Sequence, residues 1–218
     1  MLLKTPPGPD ETPYWLFKFC AVELTPIITH IVNLTVIHDR PPFLWKRALI
    51  TPIPEVPHPT EVSHFRPISV TALISLIVER IIVNKFILPF LPAKLLADQF
   101  AYRLTCSTTA ALVALEHHVA QYLESASFVQ CLSIDYSKAF DTIVHPILFQ
   151  KLLGLNLLAN VTSWIFNFLT GRTHSVSVGR CFSDWRPITA SIVQGSGNGP
   201  CLFILYTLWT SNHFQPLI

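Results

Sequence analysis

No charged side chain follows Arg186: residues 187–218 contain none of the chain's 15 basic or 13 acidic residues. A stretch that long without formal charge must find cover inside a fold, and it reads as core that needs partners. The rest of the chain leans the same way. Only 13% of its residues are charged and 50% are apolar, against about 25% charged in an ordinary globular domain. That balance excludes a disordered chain, which needs low hydrophobicity and high net charge. At roughly 150 residues per domain, the 218 residues suffice for one large domain or one and a half small ones.

A net charge of +2 with nine histidines and an isoelectric point near 8.3 neither announce nor oppose a nucleic-acid partner, so partners must be argued from motifs. The five cysteines, Cys20, Cys106, Cys131, Cys181 and Cys201, form no C-x-x-C pair, and the histidines form no H-E-x-x-H. That pattern points to a reducing compartment and no structural metal. Residues 1–18 hold Pro6, Pro7, Pro9 and Pro13 instead of a continuous apolar core, so a secretory signal is not expected. The expectation is an intracellular protein, cytoplasmic or nuclear.

Residues 152–171 run without a charge, and about 20 apolar residues can span a bilayer. Asn156, Asn160, Thr162, Ser163 and Asn167 interrupt the run, and unpaired amides are costly in hydrocarbon. A buried amphipathic helix and no membrane association are expected. The prolines of the first ninety residues suggest turns and short elements there, with a hairpin-like arm from Ala48–Pro54 and Phe65–Thr71. Ala72–Leu91, apolar almost all round, predicts a buried helix ended by Pro89 and Pro92. Ser107 or Thr108 can cap a helix whose Leu112, Leu115, Val119 and Leu123 share a face. Phe128–Ile134 predicts a strand delivering Asp135, and Pro146 suits the first position of a helix through Leu153. The alternation at His174–Val178 and the run Ile188–Val193 predict two further strands, before a glycine cluster and an apolar helix from Cys201.

The chemistry is concentrated at Cys131-Leu132-Ser133-Ile134-Asp135-Tyr136-Ser137-Lys138-Ala139-Phe140-Asp141-Thr142. A carboxylate at the end of a strand can hold a divalent cation against a triphosphate, although an isolated one is more often a turn cap, with Phe140 as core. The block resembles the first catalytic motif of reverse transcriptases of non-LTR (LINE-type) retrotransposons. Phe65-Arg66-Pro67-Ile68-Ser69-Val70, then Glu79-Arg80 and Asn84-Lys85, are similar to earlier segments of that family. So are Asp98-Gln99-Phe100-Ala101-Tyr102-Arg103 with Ser107-Thr108-Thr109, and Ile192-Val193-Gln194-Gly195-Ser196-Gly197-Asn198-Gly199-Pro200. With the weaker echoes Gly8-Pro9-Asp10 and Trp45-Lys46-Arg47-Ala48, the similarity covers nearly the whole chain in the family's order.

The resemblance implies an α+β fold, a partial polymerase right hand without a thumb. Residues 1–126 would form a fingers-like region and 127–218 an incomplete palm. It implies an RNA template, a DNA primer, deoxynucleoside triphosphates and two Mg2+ ions as partners, the ions supporting addition to a primer 3′ hydroxyl. By the same resemblance Asp135 would be the catalytic metal ligand, and the backbone around Lys138 and Ala139 would meet the triphosphate. Phe140 would exclude a ribose 2′ hydroxyl and Arg103 would pair phosphate oxygens. Gln194 and Gly195 would lie by the incoming nucleotide, Gly195, Gly197 and Gly199 would let backbone approach nucleic acid, and Asp141 would be a structural cap.

The chain also departs from the family. The aromatic-Ala-Asp-Asp motif expected after Gln194-Gly195-Ser196 is missing, since no acidic residue follows Asp184. One carboxylate in place of three cannot fix two hard cations, so these residues alone are expected to be inactive. Glu55, Leu104-Thr105-Cys106 and Val193 replace residues that in many relatives are basic, glycine or proline. Two rival readings remain: a dinucleotide-binding turn at Gly195-x-Gly197-x-Gly199, which lacks the acidic residue about 20 positions on, and a non-catalytic remnant that at most binds nucleic acid.

Overall fold

A computed structural model describes residues 7–91, 99–101, 106–136, 138–193 and 195–211. The chain divides into two compact units, Met1–Phe90 with Phe140–Ile218, and Leu91–Ala139. Arg103 and Gln194 lie outside the described residues.

The first unit is built on a mixed sheet. β1 (Arg47–Pro54) and β2 (Phe65–Val70) pair antiparallel from Leu49 with Val70 to Pro54 with Phe65. This is the arm that the proline-bounded segments predict. β1 then pairs in parallel with β3 (Arg172–Val178), Arg47 opposite Thr173 and Ile50 opposite Val176. The short strands β4 (Cys181–Phe182) and β5 (Arg186–Ile188) both run antiparallel to β3. The central pairing thus joins segments on both sides of residue 127.

Helices complete the unit: α1 (Tyr14–Phe19), α2 (Ala21–Ile37), α3 (Leu73–Ile82), then, beyond the second unit's α4 (Thr108–Leu123), α5 (His145–Leu153), α6 (Ala159–Leu169) and α7 (Gly199–Ser211). α3 runs on through a π-helical turn at Val83–Ile87 and a 3-10 turn at Leu88–Phe90, so the long apolar helix is present but loosens before its prolines. Its buried side is Ser75, Val78, Glu79 and Ile82, while Ile77 and Ile81 are partly exposed. Pro146 sits in the first turn of α5, where its missing N–H costs nothing.

Residues 152–171 do not form one long helix. α5 ends at Leu153, Asn156 takes a left-handed φ of 51°, and α6 starts at Ala159. No helix among the described residues is long and apolar enough to cross a membrane. Three of the polar residues that interrupt the run, Asn160, Thr162 and Asn167, have side-chain hydrogen-bond partners. Asn167 Nδ2 donates to the Asp39 carbonyl at 2.7 Å, and Thr162 Oγ1 donates to the Leu158 carbonyl.

Three expectations need correction. The front is not merely turns: α2 is a helix of 17 residues with Pro26 inside it. The prolines that suggested otherwise fall before α1 or after α2 except Pro26, and one interior proline removes one donor without ending a helix anchored elsewhere. That anchor is α6, where Trp164 Nε1 donates to Thr35 Oγ1 at 3.2 Å. Secondly, the strand expected at Ile188–Val193 is only Arg186–Ile188, because the amides of Ser191 and Ile192 bond to a loop instead of a neighbouring strand. Thirdly, Phe128–Ile134 is no strand. It pairs with no ladder among the described residues and Phe128, Leu132 and Ile134 are exposed, and β-propensity without a partner strand leaves the backbone bonds unmade.

In the second unit α4 is capped as expected, Ser107 Oγ accepting from the Ala110 amide at 3.1 Å. Its leucine face is not covered: Leu112, Leu115 and Leu123 are exposed and no residue of α4 is buried.

The core of the first unit centres on Trp164, which is fully buried and stacks on Phe168 with ring centroids 5.0 Å apart. Trp164→Ala removes that packing and leaves Thr35 without its donor. A loss of about 4 kcal/mol is expected from denaturant unfolding curves, and Trp164→Phe, which keeps most of the volume, should lose less than half of that.

Candidate functional site

Two stretches that lie far apart in sequence meet between β5 and α7. The loop after Ala139 presents the Phe140 carbonyl to the Ile192 amide at 2.9 Å and the Ile143 carbonyl to the Ser191 amide at 3.0 Å. His145 Nε2 lies 2.8 Å from the Ser191 carbonyl, 46 residues along the chain. These bonds account for all the backbone polar groups of Ser191, which explains why it is held at φ 93°, a conformation strained for a non-glycine residue. The Phe140 ring, half-buried, packs on Phe203 of α7 at 5.1 Å. A third motif joins them, for Gly195 at φ 98° has so little room that a Cβ there would lie 2.9 Å from the Ser69 carbonyl. An open cleft of about 330 Å3 lies along this junction, with Ser69, Asp141, His174 and Ser191 among its walls.

The glycines of the turn also lie close to the protein's own chain. A Cβ on Gly197 would meet the Leu76 carbonyl at 2.9 Å and the Glu79 side chain at 3.1 Å. One on Gly199 would meet Ser196 Oγ at 2.7 Å. At Gly197 the missing side chain lets the turn seat on α3.

Beneath the turn lies a buried polar cluster. Glu79 is fully buried, its Oε1 accepting from Ser75 Oγ at 2.9 Å and its Oε2 from the Asn198 amide at 3.2 Å. Burial pushes the Glu79 carboxyl up, opposed by the charge of Arg172 and by hydrogen bonds from Ser75 and the amides of Asn198 and Gly197. Arg172, 1% exposed, is pulled down by burial to about 10, with Glu79 working against the shift. Its Nη1 donates to the Phe168 carbonyl at 3.2 Å and its guanidinium lies over the Phe168 ring. Ser196 Oγ donates to Asn198 Oδ1 and accepts from the Gly199 amide, capping α7.

This arrangement removes the dinucleotide reading. A phosphate-binding glycine turn leaves the following helix N-terminus open for the ligand. Here that end of α7 is filled by the chain's own Glu79 carboxylate and Ser196 hydroxyl.

Of the remaining candidates, Asp135, Lys138 and Ala139 belong to the second unit. Asp135 is exposed in an irregular segment of the second unit, its Oδ1 accepting the Tyr136 amide at 2.9 Å. Lys138 is exposed in a turn with φ 52°, and Ala139 is half-buried. Among the described residues no group of three or more His, Cys, Asp or Glu could hold a metal ion. Asp141, expected as a cap, is exposed on the cleft wall. Glu55, one of the departures in charge, pairs with Arg66 at 2.7 Å on the arm. Both partners are largely exposed, so the pair adds little stability. Reading the sequence alone misses His145, Ser191 and Arg172. Arg172 had a signal, a charge opening an alternating strand straight after Gly171; His145 had none.

Residues 55–216 match the family described as "Reverse transcriptase (RNA-dependent DNA polymerase)". The chain belongs to the reverse transcriptase family. Among its relatives, it is 29% identical over 207 residues to the "Probable RNA-directed DNA polymerase from transposon BS" of Drosophila melanogaster, covering 94% of this chain and 23% of that protein. It is 28% identical over 206 residues to the "RNA-directed DNA polymerase from mobile element jockey" of the same species, covering 94% of this chain and 22% of the relative. A third, the "Probable RNA-directed DNA polymerase from transposon X-element", is 28% identical over 183 residues, 83% of this chain and 20% of the relative. These matches place the reverse transcriptase domain with the LINE-type retrotransposons. The chain spans less than a quarter of the length of the curated relatives it matches.

Two outcomes test the site's energetics. Ser191→Gly relieves the strained φ and should raise unfolding stability by about 1 kcal/mol in urea melts. Because Glu79 is raised in the fold, between the ordinary glutamate range and its folded value the native chain keeps a proton that the unfolded one has lost. Stability contributed by Glu79 is therefore full at the acid end and falls as pH rises through its folded value. Glu79→Gln should flatten the stability profile above the ordinary glutamate range, and urea midpoints with an unchanged slope would refute this.

Proposed function

We propose that these 218 residues are the fingers and part of the palm of a non-LTR retrotransposon reverse transcriptase, which adds deoxynucleotides to a primer 3′ hydroxyl on an RNA template. In this reading residues 1–126 belong to the fingers and 127–218 to the palm, the two sharing the sheet through β1 and β3. The observation that carries it is the junction at Ser191: the loop bearing Phe140, the Gly195 turn and Ser69 meet in one place. Three segments that resemble separate motifs of one family have no reason to converge unless they serve one site.

Phe140 would wall off the sugar's 2′ position, a role suited to a ring already fixed against Phe203. Lys138, Ala139 and Arg103 would take the triphosphate, and Gln194 with Gly195 the base side of the nucleotide. Asp135 would supply a metal-binding carboxylate. Reverse transcriptases generally use divalent metal ions, with Mg2+ the ion expected here. The described residues do not fit a two-ion site, since no group of three or more His, Cys, Asp or Glu among them could hold a metal ion. We therefore assign no metal-dependent step to them, and polymerisation would require carboxylates that this stretch does not contain.

A filter-binding series with a labelled RNA template annealed to a DNA primer tests the reading. Retention is expected with a slope of log K on log salt of about −4, as for a few neutralised phosphates, and without incorporation of deoxynucleotides. Retention indifferent to salt, or none at all, would sink the nucleic-acid reading; measurable incorporation would refute the predicted inactivity.

A further inference from the structure

The Glu79 carboxylate is an expensive way to fill space. It is fully buried beside Val78 and Ile82, where an apolar side chain would pack without desolvation. Nor is it neutralised at close range, because no contact of 4 Å or less joins Glu79 to Arg172, whose Nε and Nη2 lack partners, as does Asn198 Nδ2. A group that costs stability and persists calls for another role, and its hydrogen bonds show one. Oε2 receives the amide of Asn198, 119 residues away, and the Glu79 side chain lies directly under Gly197. The Gly197 amide also bonds the Glu79 carboxylate, whereas the bonds from Ser196 to Asn198 and from Gly199 to Ser196 are internal to the turn. These internal bonds shape the turn without anchoring it to α3.

We propose that Glu79 is a positioning residue: through the Asn198 amide it fixes the 195–198 turn on α3, in the register where Gly195 meets Ser69, and so preorganises the turn for an incoming deoxynucleoside triphosphate. The link to a triphosphate rests on the function proposed above; the anchoring does not. Preorganisation acts by lowering the ordering cost of binding, so its loss weakens affinity without unfolding the chain.

The informative variant is Glu79→Leu combined with Arg172→Leu in the full 218-residue chain. Replacing a separated buried charge pair by apolar residues is often neutral or stabilising, so this variant keeps a core while losing the anchor. Hydrogen exchange should show the Gly197 and Asn198 amides opening about 30-fold faster with β1 and β3 unchanged. Affinity for a fluorescent deoxynucleoside triphosphate, measured with template and primer present, should weaken about tenfold. Glu79→Gln, which retains one acceptor oxygen, should recover most of the protection. Unchanged exchange at 197 and 198, or acceleration spread evenly over the sheet, overturns the anchoring. Faster exchange with unchanged affinity overturns the link to nucleotide. If the unsubstituted chain binds no triphosphate, the functional reading fails, and exchange alone decides the anchoring.

Discussion

The backbone amides of Ser191 and Ile192 are the hinge on which the site's geometry depends. Between β5 and α7 the chain has no strand to pair with, and buried amides must find acceptors. They find them in the Ile143 and Phe140 carbonyls, while His145 bonds the Ser191 carbonyl. These bonds set where the Phe140 ring lies relative to the turn beginning at Gly195. The cost is local, a serine held at positive φ, and the surrounding structure over-determines it.

A second constraint acts from below. The turn after Gly195 is seated on α3 because Gly197 has no side chain and because Glu79 accepts the Asn198 amide. The cluster of Ser75, Glu79, Arg172, Ser196 and Asn198 combines five polar side chains that are all buried, with several donors left unpaired. A core optimised for stability alone would be apolar here. Specific backbone placement is the property such a cluster can supply and a hydrophobic contact cannot.

Much of the fold was legible. The arm of β1 and β2, the apolar α3, the Ser107 cap of α4, the proline-led α5 and the helix after the glycine cluster follow from turn residues, caps and periodicity, which are local signals. The misses share one cause. α2 was obscured by prolines that lie before and after it, Phe128–Ile134 has the side chains of a strand but no partner in the described residues, and the extended run after Ile188 is diverted by bonds to a loop. Each depends on which segment lies alongside. At the site, the motif residues Phe140 and Gly195 were visible as a resemblance, whereas His145 and Arg172 gained meaning only from what they touch.

The order of residues by itself determined the family, because motif identity is carried by side-chain types at short spacings that survive without any knowledge of contacts. It also determined that residues 152–171 are interrupted. Only the tertiary structure decided which backbone lies against the glycines of the turn, and which group occupies the N-terminus of α7. The reason is physical: the steric room at Gly195 and Gly197 and the partner of the Asn198 amide are set by Ser69, Leu76 and Glu79, far back along the chain, and no local pattern encodes that distance.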